Sequence, residues 1–527
     1  MRRFAELYFA IDGSTKTNDK VAALSKYLRE APAADAAWAV FFLRGGKLPA
    51  PVPSRVLAEL AAESADVPPW LFAECYEAVG DLAETAALLI AESPVHQNEE
   101  SLDRFITARL VPLRSMVKAE QRKFLIESWG LLSARERFVW NKLITGSFRV
   151  GVSEGLVTKA IAAATGIGNN VVAHRLAGAW QPSAEAWEAL ADHDATDANP
   201  GQPYPFSLAH PLEGEPESLG DIGDWVIEYK WDGIRAQVIK RQGEVFLWSR
   251  GGERLNGAFP DIVAEYSSLP DGTVIDGELV AWKGAVLPFA DLQRRITRKN
   301  PGKKVLESTP ARIFAFDLLE WQGQDVRSSS LKQRQELLHE LPLHFSPVLQ
   351  PKNWEEAAER RIGARELLSE GLMLKRRDSP YGVGRERGVW WKWKLQPYSV
   401  DAVLVYAQRG SGRRASLFTD YTFALWENDK LVPFAKAYSG LTDSEIREVD
   451  SFIRRNTLEK FGPVCTVKPE LVFEVAFEGI QRSSRHKSGI AVRFPRMARW
   501  RTDKSAADAD TIDSIKALLR ESVGPEK

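Results

Sequence analysis

Apolar residues recur at a helical spacing through residues 1 to about 190, and alanine and leucine are abundant there. This period predicts amphipathic helices. A capping box begins at Ser133, and Gly146 can end the helix that follows it. Ser153 starts a second helix that ends near Gly166. The pattern therefore predicts an all-helical N-terminal region.

The pattern changes after a predicted linker at residues 191–202, where Asp, Ala, Asn, Pro and Gly replace the helical period. From Pro205 onward, short runs rich in aromatic and β-branched residues alternate with Gly, Pro and Asp, which predicts strands. The predicted strands are 225–229, 236–240, 245–248, 273–282, 312–319 and 371–375. After a second break at 396–398, the predicted elements are strands 401–406, 415–426 and 470–477 and a short amphipathic helix at 511–521.

These segments predict a multidomain protein with an all-α domain at 1–200, an α+β domain with antiparallel sheets at 201–396, and a small β-barrel at 397–527. The length of 527 residues suits about three or four domains. With 44% hydrophobic and 27% charged residues, the composition is typical of globular domains with sizeable cores. The formal net charge of -1 excludes a uniformly basic nucleic-acid coat but leaves room for local basic surfaces.

The expected setting is the cytoplasm. Cys75 and Cys465 cannot form a four-cysteine zinc site, and their small number favours a reducing compartment. The first residues lack the apolar core of a signal peptide. We find no apolar run of about 18 residues in the sequence, so we expect no membrane span.

Lys230 is the most informative residue, because it follows an apolar run and lies in Glu-Tyr-Lys-Trp-Asp-Gly-Ile-Arg (228–235). A strand-end lysine flanked by a carboxylate, a glycine and an arginine suits an amine nucleophile that attacks a phosphate. It must first lose its proton, which nearby positive charge favours. Lys392 and Lys394 are candidates to supply that charge. Taken alone, Lys230 could equally be a solvated lysine at a strand end.

Two carboxylates belong to or border predicted strands: Glu278 lies within 273–282, and Glu370 directly precedes 371–375. Glu278, in Asp-Gly-Glu, could accept hydrogen bonds from ribose hydroxyls, and Glu370, in Glu-Gly-Leu-Met-Leu-Lys, could hold Mg²⁺ through oxygen. Each of these short motifs could also be an ordinary turn. The phenyl ring of Phe316 could stack on a purine, although it or Phe314 is expected to be a core residue. Arg250 suits phosphate contact or a charged hairpin tip.

Three segments have the composition of nucleic-acid or polyphosphate contacts. The block from Arg493 to Lys504 interleaves arginines with aromatics. The turn at 142–153 offers glycine backbone and a helix start to phosphate. The segment at 294–304 is basic, but could equally be a flexible loop.

In their order along the chain, these motifs resemble the nucleotidyltransferase motifs of ATP-dependent DNA ligases. The matching blocks are 228–235, 249–250, 276–278, 314–317, 370–375, 391–394 and 493–504. The resemblance covers nearly the whole chain, and the helical part is similar to the DNA-binding domain of cellular and archaeal ligases. It implies a nucleotidyltransferase (adenylation) domain in the middle and an OB-fold at the C-terminus. The compact length resembles bacterial repair ligases.

The resemblance also implies roles for individual residues. Lys230 takes AMP, Glu228 contacts the adenine amino group, Phe316 stacks on the ring and Glu278 binds ribose. Arg235 and Arg250 lie near ribose and phosphate, while Glu370, with Glu278, holds metal. The remaining implied contacts are Lys375, Lys392 and Lys394 with the α-phosphate, Arg496 and Lys504 with pyrophosphate, and Lys142, Gly146, Arg149, Gly151 and Ser153 with DNA.

The sequence departs from the family pattern at one position. Before the Lys392 motif the family usually has an arginine at a set spacing, and here Glu386 occupies that position. Arg385 and Arg387 lie on either side, so either could reach the nucleotide.

The expected activity is ATP-dependent sealing of nicks in duplex DNA, with Mg²⁺ or Mn²⁺, by a monomer associated with the nucleoid, in repair. Partner nucleases or helicases are unknown. The alternatives are an RNA ligase or capping-type nucleotidyltransferase, disfavoured by the large helical region, and a non-catalytic DNA-binding scaffold. An NAD-dependent ligase is disfavoured because the cysteine count excludes its zinc module.

Overall fold

The computed structural model describes residues 1–49, 51–79, 81–91, 100–146, 148, 150–178, 180–193, 200–298, 300–410, 417–461, 464–484 and 486–523. It divides into two compact units. The first unit comprises residues 1–15, 45–151 and 396–527, and the second comprises residues 16–44 and 152–395. Each unit contains helices from the N-terminal part of the chain together with a β-rich part.

The N-terminal part is helical, which confirms that prediction. Helices α1 and α4–α9 belong to the first unit and the others to the second. Their bounds are α1 (Arg2–Asp12), α2 (Thr17–Glu30), α3 (Ala33–Leu43), α4 (Ser54–Ser64), α5 (Pro69–Val79), α6 (Leu82–Leu89), α7 (Leu102–Phe105), α8 (Lys118–Gly130), α9 (Ala134–Thr145), α10 (Glu154–Thr165), α11 (Asn169–Leu176) and α12 (Ala184–Ala191).

The predicted helix ends are confirmed at α9 and α10. Ser133 forms the expected capping box at the start of α9, and Gly146 ends that helix in the left-handed conformation with φ 64°. Ser153 accepts a hydrogen bond at the start of α10, and Gly166 ends it with φ 79°. Side-chain oxygens satisfy free amides at the helix starts, and glycine adopts positive φ without a steric penalty. Half of the predicted linker at 191–202, residues 194–199, lies outside the described residues.

The β-rich part of the second unit contains two five-stranded sheets. Its strands are β1 (Ser207–Leu208), β2 (His210–Pro211), β3 (Trp225–Trp231), β4 (Ile234–Arg241), β5 (Glu244–Ser249), β6 (Thr273–Ala281), β7 (Ala311–Trp321), β8 (Gln324–Asp325), β9 (Val348–Leu349), β10 (Ser369–Arg376), β11 (Gly384–Arg385) and β12 (Trp390–Lys394). Its helices are α13 (Pro260–Glu265), α14 (Phe289–Ile296), α15 (Lys303–Ser308), α16 (Leu331–Leu338) and α17 (Trp354–Gly363).

The strand order is β2-β12-β10-β3-β9 in one sheet and β5-β4-β6-β7-β8 in the other. The first sheet packs one face against α17. On the second sheet, one face forms a large apolar core with residues from α13 and α16. A third apolar cluster joins the remaining faces, since it contains Ile239, Val274 and Phe316 from the second sheet and Met373 and Trp390 from the first. The charged groups of Arg235 and Lys375 lie over the rings of Phe316 and Trp390 in this cluster.

The C-terminal part of the first unit is an antiparallel half-barrel consistent with an OB-fold, as predicted. Its seven-stranded sheet includes the path β15-β14-β13-β17-β16, and β18 pairs with both β13 and β21. The elements are β13 (Tyr398–Arg409), β14 (Phe418–Glu427), β15 (Lys430–Ala437), α18 (Asp443–Asn456), β16 (Thr457–Phe461), β17 (Val464–Val467), β18 (Val472–Phe477), β19 (Gly479–Arg482), β20 (Ile490–Arg493), β21 (Arg496–Trp500) and α19 (Ile512–Val523).

All six strands predicted between 225 and 375 are present, most of them longer than predicted. The helices α13–α17 between these strands were not predicted, because each is ten residues or shorter and a short apolar pattern is ambiguous. The described part of the chain contains no helix long and apolar enough to cross a membrane.

Candidate active site

Lys230 lies near the end of β3 with its ammonium group in an ion pair. Ile227 of the same strand packs in the apolar core on one face, so Glu228 and Lys230 lie on the opposite face. The Nζ of Lys230 donates a hydrogen bond to Oε2 of Glu370 over 2.5 Å, and 22% of the lysine side chain is exposed. Lys230 is therefore accessible to a substrate while its charge is balanced by a carboxylate.

A β-bulge in β10 turns Glu370 toward Lys230. Regular alternation would put residues 370 and 375 on opposite faces, yet Glu370 pairs with Lys230 and Lys375 pairs with Glu228 on one face of β3. The register between β10 and β3 shifts at this point, and Gly371 has φ 131°. A Cβ on Gly371 would lie 2.3 Å from a main-chain oxygen of β12. The bulge therefore requires glycine.

The alternation of β12 separates Trp391 and Trp393 from Lys392 and Lys394. Trp391 and Trp393 pack into the apolar cluster beside α17, so Lys392 and Lys394 lie on the face that carries Lys230. The Nζ of Lys394 is 3.3 Å from Oε2 of Glu370. One carboxylate therefore contacts two of the three lysines.

Positive charge dominates the electrostatics of this group. Burial lowers the pKa of Lys392, and the charges of Arg385, Lys394 and Lys230 lower it further. Burial alone would raise the pKa of Glu370, but the ammonium groups of Lys230 and Lys394 bring it below the usual value. Such a concentration of cations attracts phosphate and favours loss of a proton from a neighbouring lysine.

Glu278 lies on β6 with a carboxyl group that titrates near neutrality. Burial is the main cause that raises its pKa to about 7, and the negative charges of Asp276 and Glu370 add to this. The charges of Lys230 and Arg235 partly offset the shift. Glu278 thus lies within electrostatic reach of the lysine group, and its contact with the nucleotide stays a prediction.

Glu228 and Lys375 form a buried ion pair. Their side chains are 2% and 1% exposed, and the Nζ of Lys375 lies 3.0 Å from Oε2 of Glu228. Gln335 donates a hydrogen bond of 3.2 Å to Oε1 of Glu228. Lys375 also places its ammonium 3.8 Å from the ring centroid of Phe316 and 4.8 Å from that of Trp390. Glu228 is therefore the carboxylate partner of Lys375, whereas Glu370 is the partner of Lys230 and Lys394.

Both phenylalanines of the Phe-Ala-Phe-Asp motif are buried. Phe314 packs with Trp231 and Trp282. Phe316 is 9% exposed and belongs to the cluster between the sheets, with Lys375 over its ring. In this structure Phe316 is a core residue that lies at the site, and its stacking on a purine stays a prediction.

Arg385 and Arg387 differ in their relation to the lysines. Arg385 lies in β11, and its charge lowers the pKa of Lys392. The side chain of Arg387 is exposed. Between them, Glu386 accepts a hydrogen bond of 3.2 Å from the backbone amide of Val383. The side chain of Arg385 is exposed as well, so only its effect on the pKa of Lys392 distinguishes the two arginines, and which of them reaches the nucleotide stays a prediction.

Arg235 and Arg250 lie in contrasting environments. The guanidinium group of Arg235 forms a bidentate ion pair with Asp276, with distances of 3.2 and 2.7 Å. Arg250 follows β5 with an exposed side chain, and its backbone amide donates to the carbonyl of Arg235 over 3.0 Å. Of these two arginines, only Arg250 lies at an exposed hairpin tip, which is one of the two positions considered for it from the sequence.

Arg496 and Lys504 belong to the half-barrel in the first unit. Arg496 pairs with Glu478 over 2.8 Å, and Lys504 pairs with Asp401 over 2.6 Å. Arg501 shares Asp401 over 2.7 Å. Both predicted pyrophosphate contacts thus have carboxylate partners in this structure.

The predicted DNA-contact turn is only partly an open cationic surface. Lys142 is buried and forms an ion pair with Asp81. Its charge is therefore balanced by a carboxylate within the helical part. Gly146 and Gly151 have positive φ values of 64° and 63°. Ser153 caps α10, and Arg149 lies outside the described residues.

The basic segment at 294–304 is neither a simple loop nor wholly exposed. Its described residues include the end of α14 and the start of α15. Arg295 is fully buried, where it pairs with Asp261 and donates to the carbonyls of Ala258 and Thr309. Interpreting the whole segment as a flexible basic loop was therefore wrong.

Several residues at the site carried no sequence signal that we used. Asp276 and Tyr381 hold Arg235, Gln335 contacts Glu228, and Trp390 packs against Lys375. Asp276 lies in the motif that singled out Glu278, and Trp390 begins the tryptophan–lysine alternation, so both could have been found. Gln335 and Tyr381 come from a helix and a loop whose contacts depend on tertiary packing.

Three family models match the chain. "DNA ligase N terminus" matches residues 1–162, "ATP dependent DNA ligase domain" matches 207–394, and "ATP dependent DNA ligase C terminal region" matches 414–504.

Curated relatives match over nearly the full length. A "Probable DNA ligase" of Koribacter versatilis is 30% identical over 99% of this chain and 96% of its own. A "DNA ligase 1" of Korarchaeum cryptofilum is 27% identical over 99% of both chains. Among solved structures, "Pmar-Lig_PreS3" aligns with a TM-score of 0.61 at 18% identity, covering 94% of this chain and 99% of its own. That structural likeness shows a shared fold.

Proposed function

Because this chain belongs to the family of ATP-dependent DNA ligases, we propose that it seals nicks in duplex DNA through an AMP adduct on Lys230. The observation that supports the proposal best is the group formed by Lys230, Glu370 and Lys394, with Lys392 on the same face. A partly exposed lysine among further cations suits an amine that attacks a phosphorus atom.

The first proposed step makes the adduct. The neutral amine of Lys230 attacks the α-phosphorus of ATP, so that an N–P bond forms, the bond to the β-phosphate oxygen breaks, and pyrophosphate leaves. The amine proton passes to solvent. Lys392 and Lys394 stabilise charge that develops on the α-phosphate oxygens, a strategy that phosphate-transfer sites share. Arg385 adds charge to the same group, and Glu370 must release Lys230 before the attack.

The second and third steps use the adduct. An oxygen of the 5′-phosphate at the nick attacks the phosphorus of AMP, the N–P bond breaks, and Lys230 regains a proton. The 3′-hydroxyl oxygen then attacks the 5′-phosphate, which forms the phosphodiester and releases AMP. We propose that Arg235 and Arg250 contact ribose and phosphate, Glu228 and Phe316 contact the adenine, and Lys375 fixes Glu228.

Mg²⁺ or Mn²⁺ fits the donor set formed by Glu278 and Glu370. Burial is the main cause that raises the pKa of Glu278, and the charge of Glu370 adds to this, so a bound cation would stabilise the charged form of Glu278. The described residues contain no group of three or more His, Cys, Asp or Glu side chains arranged for a metal, and nucleotide phosphate and water would complete the coordination. When bound, the metal would neutralise phosphate charge.

We propose that nicked DNA is bound by the chain as a monomer. Backbone groups at Gly146 and Gly151 and the α10 start at Ser153 would contact phosphates, together with Arg149, and Lys142 would support this turn through its pair with Asp81. Arg496 and Lys504 would orient pyrophosphate. We also propose a role in repair, which rests on the resemblance of the sequence to bacterial repair ligases.

Intact-mass measurement tests the proposal. The protein is incubated with ATP and Mg²⁺ and then with nicked duplex DNA, alongside Lys230→Ala and Lys283→Ala, the latter an exposed lysine outside the site. We expect a gain of one AMP in the native chain and in Lys283→Ala, no gain in Lys230→Ala, and loss of the adduct as sealed DNA appears. A folded native chain without an adduct would support the scaffold alternative, and an adduct with GTP alone would support the capping-type alternative.

A further inference from the structure

A buried network fixes the guanidinium group of Arg235 five residues beyond Lys230. Its Nε and Nη2 donate to the two oxygens of Asp276 over 3.2 and 2.7 Å, and its Nη1 donates to the carbonyl of Ser207 over 2.5 Å. Its Nη2 also donates to the hydroxyl of Tyr381 over 3.3 Å. Arginine has five N–H donors, so these four bonds leave one N–H, on Nη1, for another acceptor.

Aromatic rings surround the same guanidinium group. Its central carbon lies 5.3 Å from the ring centroid of Phe206, 5.4 Å from that of Phe316 and 5.2 Å from that of Trp390. Planar guanidinium groups are favoured over aromatic faces. The rings and the hydrogen bonds together allow Arg235 little freedom to rotate.

The hydroxyl of Tyr381 connects the two charged partners. It donates to Oδ2 of Asp276 over 2.5 Å while it accepts from Arg235. Burial and the charge of Asp276 raise the pKa of Tyr381 well above its usual value, so the phenol keeps its proton at neutral pH. The backbone amide of Tyr381 donates to the carbonyl of Arg327 over 2.8 Å, and its ring packs edge-on against Trp390. The position of the hydroxyl is thus fixed by its own hydrogen bonds and by the contacts of the Tyr381 backbone and ring.

The direction of the Arg235 guanidinium group matters to the site because β4 and β6 place Arg235 opposite Glu278. The charge of Arg235 also acts on that carboxyl group. A rotated guanidinium group would change the electric field at the Glu278 carboxyl group. It would also change the direction of the remaining N–H on Nη1. Small displacements of positioning groups reduce rates strongly when the reaction depends on alignment.

We propose that Tyr381 is a positioning residue for the ligase reaction, whose hydroxyl holds Asp276 and thereby aims Arg235 at the nucleotide. This inference rests on the proposed function. In it, Tyr381 affects the reaction only through the position of Arg235. Removing the hydroxyl leaves the ion pair between Arg235 and Asp276 but removes the hydrogen bonds that join Tyr381 to both partners.

The test is a double-mutant cycle on the rate of AMP adduct formation in single-turnover experiments with ATP and Mg²⁺. The variants are Tyr381→Phe, Arg235→Lys and the double variant. Tyr266→Phe is the matched control, because the Tyr266 hydroxyl is buried in the same β-rich part and has no hydrogen-bond partner among the described residues. Thermal midpoints and circular dichroism spectra are recorded for every variant.

We expect Tyr381→Phe to lower the maximal rate by about tenfold, with little change in the ATP concentration at half-maximal rate or in the thermal midpoint. In the Arg235→Lys background the same change should alter the rate by less than about twofold, because interacting sites are not additive. Tyr266→Phe should retain the native rate.

Two results would overturn the inference. One is a native rate in Tyr381→Phe. The other is a full tenfold loss that persists in the Arg235→Lys background, since Tyr381 would then act independently of Arg235. If the native chain itself forms no adduct, the proposed function fails, which is a separate outcome.

Discussion

Replacing Lys375 with methionine should destabilise the β-rich part of the second unit by about 3–5 kcal/mol, the usual cost of leaving one member of a buried ion pair alone. The Lys375 ammonium lies 3.0 Å from Glu228, and both side chains are almost completely buried. The variant keeps the volume of the side chain and removes only the charge and its contacts with Phe316 and Trp390. A change of this size exceeds the typical effect of a single substitution.

The loss of stability in Lys375→Met should depend on pH. Burial raises the pKa of Glu228 from its usual 4.5 even with Lys375 present, and without Lys375 the rise should be larger. Because the folded pKa lies above the unfolded one, protonated Glu228 keeps its contribution to stability below about pH 4.5. That contribution is lost as pH increases through the folded pKa. Lys375→Met should therefore be closest to the native stability at acidic pH and least stable at neutral and alkaline pH.

Hydrogen–deuterium exchange of peptides that cover β3 and β10 measures the local free energy of opening, which suits a multidomain chain that need not unfold in one step. Lys283→Met is the control, because Lys283 is exposed. The double variant Glu228→Gln with Lys375→Met should recover at least about 2 kcal/mol relative to Lys375→Met, since it leaves no buried charge. Additive losses in the double variant, or a loss below about 1 kcal/mol in Lys375→Met, would refute the reasoning.

Three further outcomes are expected. Lys392→Ala should slow adduct formation on the order of 10²-fold, since a charge that faces the developing phosphate charge is lost, while Lys283→Ala retains the native rate in the same single-turnover assay. Arg385→Ala should raise the ATP concentration at half-maximal rate by about tenfold and Arg387→Ala by less than about twofold; equal effects in a titration would contradict the assignment. Gly371→Ala should fold poorly and form no adduct, because φ is 131° and the new Cβ would meet a main-chain oxygen at 2.3 Å; a native thermal midpoint would show that the bulge tolerates a side chain.

The faces of β3 and β12 at the site were encoded locally. In Trp-Trp-Lys-Trp-Lys, the period of two separates Trp391 and Trp393 from Lys392 and Lys394, and the structure packs only the tryptophans against α17. The same period puts Glu228 and Lys230 on one face. Local signals are sufficient here because a strand has one backbone geometry, and the side-chain direction follows from it.

Tertiary packing overrode local signals elsewhere. Lys142 has the sequence context of a phosphate contact, but Asp81, 61 residues away, forms an ion pair with it in the helical part. Arg295 lies in a run of basic residues but is buried against Asp261. Long-range partners decide whether a lysine or arginine faces solvent, and no pattern within a short window contains them.

The sequence by itself determined the helical beginning, the strand-rich remainder, the family resemblance and the order of the reactive motifs, because helix caps, strand alternation and motif spacing depend on neighbouring residues. The tertiary structure alone decided which charges meet. It turned Glu370 toward Lys230 through the bulge at Gly371, paired Lys375 with Glu228, and enclosed Arg235 between Asp276 and Tyr381. Each of these pairs joins separate elements of the chain. Their burial determines which charges the site presents to a phosphate.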